Sequence, residues 1–285
     1  MNPYIKLTRP HHAVKNVLVF AALACSGQFF DPHKLIPGLL GFLAFCMTSS
    51  VVYIINDIRD REKDRLHPTK CKRPIASGAV SVRNACILAG ILAAAALVCN
   101  ALCFQPFASV LLALYFLLNL GYSFGLKDVP IVDITILVSG FLLRILYGAL
   151  VTQIVISNWL YLTVLFLAFY FALGKRRNEL RNLKGGKTRK VLEAYPVAFL
   201  DKGMTMCITL AIAFYALWSM DSATVAAHGP NLVLTIPIVV LIILKYSLTI
   251  EGSSDGDPME VLVHDKVLMG LCLVYFAAIF AVLYL

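Results

Sequence analysis

The sequence predicts an all-α integral membrane protein: one bundle of nine transmembrane helices around a central cavity that opens toward the cytoplasm. Three observations predict it. Of the 285 residues, 60% are hydrophobic and 14% are charged, against about 25% charged in soluble domains, and the mean hydropathy is +0.81. The apolar residues fall into runs near the length of about 20 that a spanning helix needs, and lipid leaves the backbone of such a run no simpler way to satisfy its polar groups. The charged residues gather in alternate loops.

The runs are taken in chain order. Residues 14–31 follow a basic amino-terminal segment. They have no small-residue cleavage site, and many more runs follow, so they read as a retained span and not a cleaved signal. Residues 35–55 carry Pro37 near their start, where proline is tolerated. Residues 85–104 include "ILAAAALVCNALC", whose small side chains suit close helix contacts within one subunit or between copies in a dimer or trimer. Residues 107–124 follow the short link "QPF". Residues 130–152 open on Pro130, another helix-start proline. Residues 158–174 follow "TQIVISN", and 203–220 follow a long basic loop. Residues 231–250 follow "DSATVAAHGP" and hold Pro237, placed to bend the helix. Residues 266–285 are the last run. The outer links are connections, not a domain, so residues 1–285 read as a single domain.

The net charge of +9 is not spread over a surface that nucleic acid would meet. The amino-terminal segment holds Lys6, Arg9 and Lys15. Arg59, Arg61, Lys63, Arg65, Lys70, Lys72, Arg73 and Arg83 follow the second run, Lys127 follows the fourth, and a block from Lys175 to Lys190 follows the sixth. Lys202, Lys245 and Lys266 fall on the same side, and the opposite loops hold only Lys34. Lysine and arginine mark the cytoplasmic side, so the amino terminus and the charged loops face the cytoplasm. The eight cysteines include no CxxC pair, which argues against a zinc or redox site. Cys99 and Cys103 share a helix face and read as core, and Cys71 lies in a loop where thiols stay reduced.

Orientation explains the arginines of "IINDIRDREKDRLHPTKCKRPIASG", but not its acids. Asn56, Asp60 and Asp64 are spaced four apart and form one stripe if the second helix continues past the membrane, with Tyr53 one turn earlier. Oxygen ligands gathered there suit Mg²⁺, which shares itself between carboxylates, water and substrate phosphates. Lys70, Lys72 and Arg73 follow and suit phosphate oxygens. The alternative is an exposed loop whose acids and bases pair with each other. In "YSFGLKDVPIVDITILVSGFLLRILYGAL", Lys127 and Asp128 lie at the mouth, with Asp133 and Arg144 deeper. Intramembrane charge normally faces the bundle interior or a wet cavity, so Arg144 either binds an anionic group or pairs with an acid. In "ALGKRRNELRNLKGGKTRKVLEAY", Lys175 and Arg176 lie nearest the membrane and are ligand candidates. The "GGKT" is not a P-loop, since Arg181 stands where the first glycine belongs. In "DGDPMEVLVHDK", Asp255 and Asp257 lack the rest of an EF-hand pattern, and Glu260 and Asp265 are candidates for contacts between loops.

"NDIRDREKD" followed by "RPIASG" resembles the first aspartate-rich motif of the UbiA-type polyprenyltransferase superfamily, and "RPHHAVKN" at residues 9–16 resembles its amino-terminal motif. "DRLHPTKCKRPIASG", "YSFGLKDVPIVDI…GFLLR", "ALGKRRNEL…VLEAY" and "PMEVLVHDKVL" are similar to its decaprenyl-phosphate phosphoribosyltransferase branch. The resemblance covers almost the whole chain. It implies a nine-helix, Mg²⁺-dependent enzyme of the bacterial inner (cell) membrane. Its donor is 5-phosphoribosyl 1-diphosphate and its acceptor a polyprenyl (decaprenyl) phosphate. Diphosphate is released, and the product feeds cell-wall arabinan. It further implies Asn56, Asp60 and Asp64 (with Asp57 as an alternative) as metal ligands and catalytic residues. Lys15, Tyr53, Lys70, Arg73, Lys127, Asp133, Arg144, Lys175 and Arg176 are then substrate-binding. The other readings are an aromatic polyprenyltransferase using a polyprenyl diphosphate, and a transporter with a phosphate-binding vestibule.

Overall fold

The computed structural model describes residues 2–181, 190–252 and 258–285. Among these, eight helices are long and apolar enough to cross a membrane. They are α1 (Pro32–Arg59), α2 (Val82–Ala101), α3 (Pro106–Ser123), α4 (Val132–Thr152), α5 (Asn158–Arg181), α6 (Val197–Met220), α7 (Ile236–Ile250, entered through a 3₁₀ turn from Pro230) and α8 (Lys266–Tyr284). The sequence predicted nine. The difference is the first run, which is not one α-helix. It is a 3₁₀ segment over Pro10–Phe20 followed by a short α-helix over Ala21–Cys25. Composition marks a run as apolar but does not distinguish these two helical pitches.

The chain forms two compact units. The first comprises the residues through Leu126 together with Ser139–Val155, and the second comprises Lys127–Val138 together with Ile156–Leu285. In the first unit α1 begins at Pro32, capped by the Asp31 side chain, which accepts from the His33 N–H. It therefore starts earlier than predicted, and Pro37 falls inside it. Val19, Phe45, Leu112, Tyr115, Leu143 and Tyr147 pack into one buried apolar cluster. Leu7, Ile54, Ile75, Val80 and Ala85 form another beneath the charged loop. The 3₁₀ segment lies backbone-to-backbone on α4 at Gly148, where a β-carbon would stand 1.8 Å from the Val19 carbonyl oxygen. By contrast α2 leaves Ile87, Ile91, Leu97 and Val98 exposed, as a helix facing lipid does.

In the second unit α5 and α6 lie along each other. Phe214 stacks between Trp159 and Phe166, at 6.0 and 5.5 Å. Tyr170 hydrogen-bonds Ser247 at 2.7 Å and so ties α5 to α7. Pro237 does not bend a continuous helix. It sits in the first turn of α7, where the 3₁₀ entry gives way to α-helix, and there its missing N–H costs nothing. Asp265 caps α8, accepting from the Val267 and Leu268 N–H groups at 3.1 and 3.0 Å.

Candidate active site

The helix does run on past the apolar stretch. The Asp60 N–H reaches the Asn56 carbonyl at 2.9 Å, and the Asp64 N–H reaches the Asp60 carbonyl at 2.8 Å. Asn56, Asp60 and Asp64 therefore stand one turn apart across the junction of α1 with the short helix Arg61–Arg65. Their surroundings differ. Asp64 is buried and accepts from Arg73 Nη1 at 2.6 Å. Asp57, off the stripe, is 2% exposed and accepts from Arg9 Nη2 at 2.5 Å and from Arg73 Nη1 at 3.2 Å. Two buried acids are thus neutralised by two arginines. Asn56 and Asp60 are half-buried, and their side chains have no hydrogen bond or ion pair to another described residue.

This arrangement distinguishes the members of the predicted ligand set. No group of three His, Cys, Asp or Glu side chains among the described residues is placed to hold a metal ion. The uncommitted oxygens are those of Asn56 and Asp60, while Asp64 and Asp57 are engaged by arginine. Two protein oxygens fit a small hard cation that keeps water and shares substrate phosphates. They do not make an all-protein cage. Arg73, expected to meet phosphate, pairs with the two acids. Lys70 stays exposed on a short turn over Lys70–Lys72.

Tyr53 is half-buried. The Arg9 guanidinium lies 4.8 Å from its ring centroid, and the His12 ring is 5.0 Å away. Arg9 has φ +50, unusual for a non-glycine residue. The sequence reading did not name Arg9 as a site residue, although "RPHHAVKN" begins with it. Lys15 is half-buried on the same 3₁₀ segment.

Arg144 is 7% exposed. Its Nε donates to Asn16 Oδ1 at 2.8 Å, Nη1 to the Gly140 carbonyl at 2.5 Å, and Nη2 to the Tyr115 hydroxyl at 3.1 Å. Its guanidinium lies over the rings of Phe45 and Tyr115 at 5.1 and 5.0 Å. All of these partners are neutral, and no carboxylate among the described residues pairs with it. A buried cation held only by dipoles and π faces has its hydrogen bonds but lacks a counter-charge.

Arg176 is the opposite case. It is fully buried, and its Nε donates to Asp133 Oδ2 at 2.7 Å and its Nη1 to Glu179 Oε2 at 2.9 Å. Asp133, also 0% exposed, takes a second hydrogen bond from the Tyr195 hydroxyl at 2.6 Å. Asp133 and Arg176, which the resemblance implies are substrate-binding, pair with each other. Tyr195 carried no signal beyond its place in "VLEAY". Burial, with the Asp133 carboxylate beside it, pushes the Tyr195 hydroxyl up to about 12, so it stays a donor. Lys127 and Lys175 are half-buried, the first on a turn over Leu126–Asp128 and the second on α5.

The remaining charge near the end of α5 is structural. Buried Arg177 pairs with Asp201 and, at 2.5 Å, with Glu251, which also takes Arg181 at 2.5 Å. The Arg181 and Arg177 guanidiniums hold the Glu251 carboxyl below its ordinary range. Asp265 accepts from Lys245 at 2.7 Å and from Thr249 at 2.6 Å. The eight cysteines are free thiols, and Cys103 is buried with its Sγ on the Cys99 carbonyl at 3.3 Å, as core packing requires. The "GGKT" run with Lys184, Lys187 and Arg189, and Asp255 and Asp257, lie outside the described residues.

Residues 16–264 match the family model described as the UbiA prenyltransferase family. The chain is 38% identical to the decaprenyl-phosphate phosphoribosyltransferase of Mycolicibacterium smegmatis, across 98% of this chain and 92% of the relative. It is 36% identical to that of Corynebacterium glutamicum, across 99% and 86%. Among solved structures, a UbiA homolog from Archaeoglobus fulgidus bound to DMAPP and Mg²⁺ shares the fold, with a TM-score of 0.69, 20% identity and 98% coverage of both chains. The motifs around Asn56 and Asp60, the helical architecture and the near-complete match lead to one conclusion: the chain belongs to the UbiA prenyltransferase family.

Proposed function

We propose that this protein transfers the 5-phosphoribosyl group of 5-phosphoribosyl 1-diphosphate to a polyprenyl phosphate, decaprenyl phosphate in the first instance, and releases diphosphate. The observation that carries the reading is the near-full-length similarity, at 36 and 38% identity, to two decaprenyl-phosphate phosphoribosyltransferases. The geometry is compatible with it. The motif presents two uncommitted oxygen donors in surroundings rich in lysine and arginine, which suits a substrate carrying several phosphates.

In the reaction the bond from C1 of the ribose to the diphosphate oxygen breaks, and the leaving group takes the electron pair. Positive charge develops across C1 and the ring oxygen, and a phosphate oxygen of the acceptor forms the new bond to C1. The acceptor is already an anion and needs no strong base. Asn56 and Asp60 would hold Mg²⁺, which offsets leaving-group charge when bound. In the first unit Lys15 and Lys70 add fixed positive charge toward phosphate oxygens; in the second unit Lys127 and Lys175 are the phosphate-binding candidates that the family motifs imply. Tyr53, stiffened by Arg9 above its ring, offers an apolar face to the ribose. Arg144, which lacks a counter-charge, takes the acceptor phosphate. Arg73 pairs with Asp57 and Asp64 in the first unit, and Arg176 pairs with Asp133 in the second; each pair fixes charged side chains that the family motifs name.

The same reading takes residues 1–285 as one UbiA-type domain in the bacterial inner membrane, with the amino terminus and charged loops cytoplasmic. Loop charge alone supports that orientation and a cavity mouth on that side. The ninth span is supported by arithmetic. Eleven 3₁₀ residues and five α-helical ones over Pro10–Cys25 reach roughly 30 Å, at about 2.0 and 1.5 Å per residue, close to the hydrocarbon thickness.

The test is a product assay on purified protein in detergent with Mg²⁺, 5-phosphoribosyl 1-diphosphate and decaprenyl phosphate. Mass spectrometry should detect decaprenylphosphoryl-5-phosphoribose. No such product, together with prenylation of an aromatic acid from polyprenyl diphosphate in a parallel reaction, would move the activity to another branch of the family.

A further inference from the structure

One hydroxyl in the second unit does two jobs. Tyr195 donates to Asp133 Oδ1 at 2.6 Å and accepts from the Ile131 N–H at 2.5 Å. Ile131 is the residue before α4, and its N–H is one of the orphan donors of a helix start. It is also held at φ +68. A β-branched residue in the left-handed region is an outlier, and such strain persists only where the surroundings over-determine the backbone. Packing of the Ile131 side chain does not impose it, since that side chain is 51% exposed. The determinants lie on the backbone. Tyr195 holds the N–H, and the Ile131 carbonyl accepts from the Thr135 N–H at 2.8 Å. Tyr195 is itself fixed: its ring is buried and lies parallel to Phe199 at 6.1 Å. Arg176 Nε anchors the other oxygen of Asp133 at 2.7 Å.

Four residues before Ile131 stands Lys127, on the turn Leu126–Asp128. The only chain between them is Asp128, Val129 and Pro130. Proline fixes its own φ and restricts the residue before it, and the Val129 carbonyl accepts from the Asp133 N–H at 3.1 Å. The direction in which the turn leaves α4 is therefore set at Ile131, by Tyr195.

We propose that Tyr195 is a positioning residue for Lys127: its hydroxyl locks Ile131 in the left-handed conformation and so fixes the turn that presents the Lys127 ammonium to a phosphate of the sugar diphosphate. The proposal rests on the phosphoribosyl reading for the identity of that substrate. It explains why a buried acid and a buried arginine stand beneath an exposed turn. They hold the tyrosine, the tyrosine holds the backbone, and the backbone aims the lysine.

The experiment compares the full-length wild type with Tyr195→Phe and Ile131→Gly, by two readouts. The first is amide hydrogen exchange without substrate. Tyr195→Phe should speed exchange at Lys127–Ile131 and leave α6 beyond its first turn unchanged. The second is steady-state kinetics with 5-phosphoribosyl 1-diphosphate varied. Both variants should raise KM for the sugar diphosphate roughly tenfold, the loss of about one positioned hydrogen bond, with kcat and KM for decaprenyl phosphate within about twofold. Ile131→Gly should also keep or raise the thermal midpoint, because glycine adopts φ +68 without strain. A looser site in a protein that is no less stable is not what a merely structural tyrosine produces. Unchanged exchange at Lys127–Ile131 overturns the proposal whatever the kinetics. So does faster exchange with KM unchanged, or a fall in kcat alone. Wild-type protein that makes no product, yet shows the exchange difference between variants, overturns the phosphoribosyl reading and with it the substrate named here.

Discussion

Arg73 Nη1 sits 2.6 Å from the Asp64 carboxylate, and each residue therefore has a structural partner as well as an expected ligand. The same nitrogen lies 3.2 Å from Asp57. An acid predicted to bind metal and a base predicted to bind phosphate neutralise each other. Removing one partner of a buried pair leaves an uncompensated charge. Arg73→Met should therefore cost about 3 kcal/mol of stability, read as a lower midpoint in thermal unfolding of detergent-solubilised protein. Arg73→Lys should recover part of it. Wild-type melting of Arg73→Met would return Arg73 to the phosphate-binding set.

Asp60 has no such partner among the described residues. Asp60→Ala should fold and melt like the wild type and lose turnover by roughly 100-fold or more, the scale of removing one group that stabilises developing charge. Product formation and thermal melting on the same preparation check both halves. Near-normal turnover in that variant would sink the assignment of Asp60 as a metal ligand.

Arg144 separates the two substrates. Arg144→Met removes a buried cation that no carboxylate among the described residues neutralises. KM for decaprenyl phosphate should rise at least about tenfold, with KM for the sugar diphosphate nearly unchanged. Arg144→Lys keeps the charge but not the fork geometry and should fall between them. A rise in the sugar-diphosphate KM instead would put Arg144 on the donor.

Glu251 gives a pH test whose sign follows from its partners. Arg181 and Arg177 hold its folded carboxyl below the ordinary value of 4.5. Its contribution is complete above that value and disappears as pH falls through the lower folded value. Wild type and Glu251→Gln should therefore differ in thermal midpoint at pH 6 and converge toward pH 3. The difference is small, about 1 kcal/mol or less, because the carboxylate is half exposed and screened. A gap that widens on acidification would contradict the pairing.

Much of the architecture was legible in the sequence because lipid imposes a length and a composition on every span. The stripe of Asn56, Asp60 and Asp64 was legible too, because helical period is a property of the chain alone. The inward face of that helix was not. Asp57 and Asp60 are three residues apart, and only packing decides that the first is sealed under Arg9 and the second left open. Arg9 was visible only as part of a motif. Tyr195 was visible only as a letter, because its importance comes from Ile131 and Asp133, 64 and 62 residues away. Spacing marks Asp133 and Arg144 alike as buried charge, but not that acids surround Arg176 while only dipoles surround Arg144. The first run failed for another reason: hydropathy sees side chains, and a 3₁₀ segment differs from an α-helix in its backbone.

Position 148 has room for a hydrogen atom and nothing larger. A methyl group there would collide with the Val19 carbonyl and lift the segment that carries Asn16 and Lys15. A library randomised at that codon and selected for activity should return glycine alone, while the lipid-facing codon of Leu97, 65% exposed, should accept almost any apolar residue. In this protein a position of very low tolerance belongs to a residue with no side chain, because the polar groups above it depend on how closely two backbones can meet.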